Sequence, residues 1–110
     1  MLVTIPVSAD YKITVDKYNW SVIRLGTVQD KKSKNYGKPI ESFVSHNHNI
    51  EGALRSMLND TLRRDGVPEE DKKNIGSFMD WYMKKQEALR DSILSKEALL
   101  REAIELNKVM

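Results

Sequence analysis

"FVSHNHNIEGAL", residues 43–54, is the stretch on which the fold turns, because the spacing of its apolar residues changes within it. Phe43 and Val44 close a short apolar run of strand type. From Ile50 the apolar residues Ile50, Ala53, Leu54, Met57, Leu58 and Leu62, with Thr61, recur at three- and four-residue spacing, which lines one face of a helix. Between them stand both histidines of the chain and two asparagines. Asn47 or Asn49 has the short side-chain acceptor that an N-cap uses to satisfy the free N–H groups of a first helical turn. The segment therefore predicts a strand that passes directly into a capped helix.

A metal-site reading of His46 and His48 competes with this. Two imidazoles two residues apart offer two nitrogen ligands, whereas zinc sites take three or four protein ligands. Only these two histidines exist, there is no cysteine, and the nearest carboxylates in sequence are Glu41 and Glu51. The letters His-Asn-His match the name of a nuclease family, but that family spreads its three residues along a ββα-metal motif. The cap reading accounts for the residues better, and neither a metal nor a cofactor is expected.

Upstream of this junction the period is two. "YKITVD", residues 11–16, alternates Tyr11, Ile13 and Val15 with polar neighbours, "DKYN" reads as a turn, and "WSVIRLGTV", residues 20–28, is rich in β-branched and aromatic residues. "KPIESFV" adds a third run with Pro39 at its start, where a missing N–H is tolerated. "LVTIPV" offers a fourth strand that Pro6 confines to an edge. Downstream, Gly66 and Pro68 end the helix, and the polar break "DGVPEEDKKN" precedes a segment in which Ile75, Phe78, Tyr82, Leu89, Ile93, Leu100 and Ile104 form one stripe. With no Pro or Gly in residues 77–110, one continuous helix of up to ~34 residues is predicted, ~50 Å long.

The expected fold is α+β: a three- to four-stranded antiparallel meander packed on a helix over residues 1–66, then a long C-terminal amphipathic helix as an extension over 67–110, one domain in total. Its expected core is Ile13, Val15, Val22, Ile23, Phe43, Leu54, Leu58 and Leu62. Strands of this length span only ~20 Å, so the distal stripe needs cover from a fold-back, a second copy or another protein.

At 110 residues a single domain buries roughly two thirds of its unfolded surface. The lack of cysteine excludes disulfides, thiolate zinc sites and Cys nucleophiles. No stretch has the length and apolarity of a signal peptide or a bilayer span, so a soluble protein of a reducing cytoplasm, off the membrane, is expected. Net charge is +2. Residues 1–66 carry ten Lys/Arg against seven Asp/Glu and residues 67–110 eight against nine, so the basic excess belongs to the first half, concentrated in "QDKKSKNYGK", residues 29–38.

That loop is the first candidate site. Lys31, Lys32, Lys34 and Lys38 surround Tyr36 at a hairpin tip, a pattern that suits phosphates with a stacked base, or an acidic protein surface, and equally a solvated loop that guards an edge. "FMDWYMKK", residues 78–85, is the second: Trp81, Tyr82, Phe78 and the methionines exceed what one stripe can bury and are of the types enriched at interfaces. Ile93 and Leu100 complete the candidate partner-binding set, through which self-association or target binding would bury the stripe. No Gly-x-Ser-x-Gly, phosphate-binding glycine loop or dinucleotide fingerprint is present, so no enzyme is expected.

Residues 9–64, with "ADYKITVDKYNWSVIRL", a lysine-rich loop containing Gly37, and "KPIESFVSHNHNIEGALRSMLNDTLRR", resemble small uncharacterised proteins of phages and prophages of Gram-positive bacteria. Those share an "I..D..N" hairpin, a lysine-rich connector with Gly and Lys-Pro, a short strand and a helix beginning "-EGAL-" or similar. The resemblance covers about half the chain and implies a phage accessory protein. It carries no site residue over. The reading it supports first is an interaction protein that binds and modulates a host protein, such as an inhibitor of a bacterial defence component of the CRISPR-nuclease kind. A nucleic-acid-binding accessory using the lysine loop comes second, and an oligomer that sequesters a nucleotide or small molecule third.

Overall fold

The computed structural model describes residues 2–67, 69 and 74–108. Four strands come first: β1 (Val3–Pro6), β2 (Tyr11–Val15), β3 (Trp20–Thr27) and β4 (Pro39–Asn47). They pair antiparallel in sequence order, a simple meander. β1 is the fourth strand that Pro6 left as an option, and Pro6 is its last residue on an outer edge. The alternation of the sequence is realised directly. Val3, Ile5, Tyr11, Ile13, Val15, Trp20 and Val22 are buried on one face, while Lys12, Thr14 and Ile23 between them point to the other.

β4 breaks that alternation once. Ser45 pairs with Val22 but Phe43 pairs with Ile23, so Val44 is an extra residue, a β-bulge. The bulge reverses which side Phe43 faces. Phe43 is consequently 58% exposed instead of in the core, and Ile23, next to the inward Val22, is only half-buried. Those two assignments are corrected; Ile13, Val15, Val22, Leu54 and Leu58 are core, and Leu62 is half-buried near the end of its helix.

The first helix, α1 (Ile50–Asp65), lays Ala53, Leu54, Met57 and Leu58 on the β3–β4 half of the sheet. Gly66 ends it with a φ of 74°, and its N–H bonds to the Leu62 carbonyl, a conformation in which a side chain would be strained. Pro68, the other expected stop, lies outside the described residues.

The long continuous helix is not formed. The chain runs as α2 (Ile75–Leu94), turns at Ser95–Lys96, and returns as α3 (Glu97–Lys108). The turn lies in "SILSK". Ser92 Oγ donates to the Val7 carbonyl, anchoring α2 to the β1–β2 loop, and Ser95 Oγ donates to the Ser92 carbonyl at 2.6 Å. Serine hydroxyls compete for helical carbonyls in this way and favour ends over interiors. Once turned, α3 packs on β1 and β2, buries Ala103 completely and half-buries Leu99, Leu100 and Leu106. Ile93 and Ala103 thus belong to the same core as the strands. The molecule is 21 Å thick, the depth of one sheet and one helical layer.

Candidate interaction surface

The strand-to-helix junction is built as a cap. Asn49 is extended, with φ −154° and ψ 174°, and its side chain accepts the Gly52 N–H at 2.9 Å. Asn47 serves the sheet instead. Its amide donates to the Trp20 carbonyl and to Ser45 Oγ, both at 3.0 Å, closing the end of the β3–β4 pair. His46 lies on the open face of the sheet, with Nδ1 2.7 Å from Ser21 Oγ and its ring 4.5 Å from that of Phe43. His48 is exposed in the bend before α1. Among the described residues no three His, Asp or Glu side chains stand close enough to hold a metal ion.

The lysine loop between β3 and β4 is an ordered extension of the hairpin. Val28 and Lys38 pair across its base at 3.0 Å, the Gly37 N–H bonds to the Val28 carbonyl, and Asp30 accepts the Lys32 N–H at 2.9 Å. Gly37 has φ 78°, which is why a glycine closes this turn. Lys31, Lys32, Lys34 and Lys38 are exposed, none pairs with a carboxylate among the described residues, and Tyr36 is 53% exposed.

α2 meets the sheet near Asp10. The Leu25 N–H, just before the loop, bonds to the Asp10 carbonyl at 2.7 Å, and Lys85 of α2 shares a small cleft with Asp10, Tyr11 and Arg64. C-terminal to Lys85, α2 is anchored by Leu89, Ser92 and Ile93. N-terminal to it, the helix contributes no residue to the core. Phe78 packs its ring against Trp81 and Tyr82, with centroids 6.3 Å apart in each pair, and all three are half-buried. Ile75 is 80% exposed, and Met79 and Met83 are about half-exposed at 48% and 50%.

Comparison of the chain with protein-family models, with curated proteins and with solved structures finds no match.

The four helical candidates thus separate. Trp81 and Tyr82 lie on the projecting half of α2. Ile93 is fully buried, so its assignment to a binding surface is corrected: the turn at Ser95 folds the distal stripe onto the chain's own sheet. Leu100 is half-buried, and with Ile50, Leu54, Ile93, Leu94 and Ile104 it lines an apolar cleft of about 200 Å³ where α1, α2 and α3 meet, with the Arg90–Glu51 ion pair at its rim. Leu94 is a surface residue that the single-stripe reading misses, and Ile75, counted on that stripe, is corrected to the surface, where it joins Met79, Met83 and Leu94. Their signal is a second run at helical spacing that begins at Ile75, where it meets the main stripe, and passes through Met79 and Met83 to Leu94. Among the described residues no helix is long and apolar enough to cross a membrane.

Proposed function

We propose that this chain is an interaction protein, which binds a second protein through the projecting half of α2 and uses the lysine loop to steer the encounter. The observation that carries this is the exposure of Ile75, Met79 and Met83 on a helix segment that its own core does not cover. Apolar groups left in water in a cluster forgo the stabilisation that burial gives, roughly 25 cal/mol per Å², and such clusters mark association sites. The four lysines of the loop, without an ion pair among the described residues, add a local field that raises association rates with an acidic surface more than it raises affinity.

The resemblance to phage and prophage proteins supports a host protein as the partner, and a bacterial defence component, a CRISPR nuclease among them, as the class to test first. The lysine loop also favours a second reading, nucleic-acid binding, because Tyr36 stands exposed among cations as a stacking platform would. Immobilised chain in lysate of a Gram-positive host separates the two. The first reading expects a retained protein that Met79→Asp/Met83→Asp loses while nuclease treatment of the lysate leaves it bound. Retention of nucleic acid alone, lost on Lys31→Glu/Lys34→Glu and steeply salt-dependent, establishes the second reading in its place.

A further inference from the structure

The exposed residues of α2 form a pattern of their own. Ile75, Met79, Met83 and Leu94, bridged by Gln86 and Arg90, follow one another at spacings of four, four, three, four and four, one stripe along the whole helix. At about 100° per residue this stripe is centred roughly 105° from the inward positions Phe78, Tyr82, Leu89 and Ser92, and fully buried Ile93, in line with Ile75 along the axis, marks the border between the two. Its last residue, Leu94, is 55% exposed and opens into the apolar cleft between the three helices. That cleft, at about 200 Å³, is below the range of pockets that hold a small-molecule ligand and suits a single large apolar side chain.

Charge decides what covers the stripe. Along its solvent edge, on the side away from the fold, stand Asp80, Glu87 and Asp91, all exposed and none in an ion pair among the described residues; Lys84 is the one cation on that edge, and Arg90, within the stripe, is paired with Glu51 of α1. A second copy docked antiparallel on this stripe, with Ile75 over Leu94, would bring acidic edge against acidic edge, placing Asp80 between Glu87 and Asp91 of the copy. Like charges so placed oppose that pairing. A basic edge is complementary.

We propose that this outward face of α2, with the cleft at its end, is a groove for an amphipathic helix of the partner protein. The helix offers large apolar side chains at three- and four-residue spacing, one of them seated in the cleft, and lysines or arginines along the edge that meets Asp80, Glu87 and Asp91. The stripe is about 28 Å long at 1.5 Å per residue, which matches a partner helix of about 20 residues. This rests on the protein-binding reading and deepens it by naming the chemistry of the bound segment.

Two labelled 20-residue peptides test it, with the same leucines at heptad positions and flanks of lysine in one and glutamate in the other. Binding to the full chain is followed by fluorescence anisotropy. The lysine-flanked peptide is expected to bind at least tenfold more tightly, Met83→Asp to weaken it at least tenfold, and Asp80→Lys/Glu87→Lys/Asp91→Lys to invert the preference. Circular dichroism shows that each variant is folded. Equal affinity for the two peptides, an unchanged preference in the charge-reversed chain, or sedimentation showing a dimer that Met83→Asp dissociates would overturn the proposal. If the peptides fail while the lysate partner is still lost on Met79→Asp/Met83→Asp, the protein-binding reading stands and this account of its ligand falls.

Discussion

The Tyr11 hydroxyl donates a 2.6 Å hydrogen bond to Asp60 Oδ2, and through it the second strand holds the first helix. Asp60 is the one buried charged residue in the described core, 8% exposed, and Arg24 on β3 reaches it at 3.1 Å. The Arg64 guanidinium lies 5.5 Å from the centre of the Tyr11 ring and covers the pair from outside. Such a satisfied cluster fixes where α1 sits, because removing one member leaves a buried charge short of a partner. Tyr11→Phe should cost about 1.5–3 kcal/mol in urea denaturation at neutral pH, the range for a hydrogen bond to a charged group.

The same residue sets an alkaline limit. Burial first, and the neighbouring Asp60 second, push the Tyr11 phenol above its ordinary value. The folded state therefore holds this proton more tightly than the unfolded chain does. Its contribution is complete below about pH 10 and is lost as pH rises through the folded value. Stability measured from pH 9 upward should fall more steeply in the wild type than in Tyr11→Phe.

Asp16 works in the opposite direction. It accepts the backbone N–H groups of Tyr18 and Asn19, each at 2.8 Å, and these bonds hold its carboxyl below the usual carboxylate value. Stability from this turn is complete above about pH 4 and lost as pH falls through the folded value. Asp16→Asn should flatten the acid limb of the stability curve between pH 5 and 2.

Asn49→Ala should destabilise the domain by about 1 kcal/mol, the worth of an N-cap, while Asn49→Gly costs only a few tenths. Thermal melts of the two variants check the cap.

Two isoleucines of α2 should respond differently. Ile93 is fully buried and Ile75 is 80% exposed. Ile93→Ala is expected to cost about 2–5 kcal/mol, and Ile75→Ala to stay within about 0.5 kcal/mol of wild type. Chemical denaturation of both checks whether the inner half of α2 is core and the outer half is not.

Much of this architecture is written in periodicity. The alternation of Tyr11, Ile13 and Val15, the helical spacing from Ile50, the stop at Gly66 and the cap at the Asn47–Asn49 segment are local signals, and each became the element it implied. Three features were not local. The bulge at Val44 is set by pairing with β3, and one extra residue turned Phe43 outward. The turn at Ser95 lies inside a segment free of Pro and Gly; the serines weaken the helix there, and what turns it is the gain from seating Ala103, Leu99 and Leu106 on a sheet too short for a straight helix. The exposed run of Met79, Met83 and Leu94 starts from Ile75, which the spacing also places on the inward stripe, and separating the two requires knowing where the core ends.

The central proposal, that the outer half of α2 is kept for another protein, is tested most directly by nuclear magnetic resonance of the isotopically labelled chain, first in buffer and then in nuclease-treated lysate of a Gram-positive bacterium. The account predicts sharp, dispersed signals in buffer, and selective broadening in lysate of Ile75, Met79, Met83 and the lysine-loop amides, while Val15, Val22 and Leu58 in the core lose no more intensity than tumbling in lysate imposes on the whole chain. Uniform loss across all residues, or broadening confined to the open face of the sheet around Phe43 and His46, would contradict it.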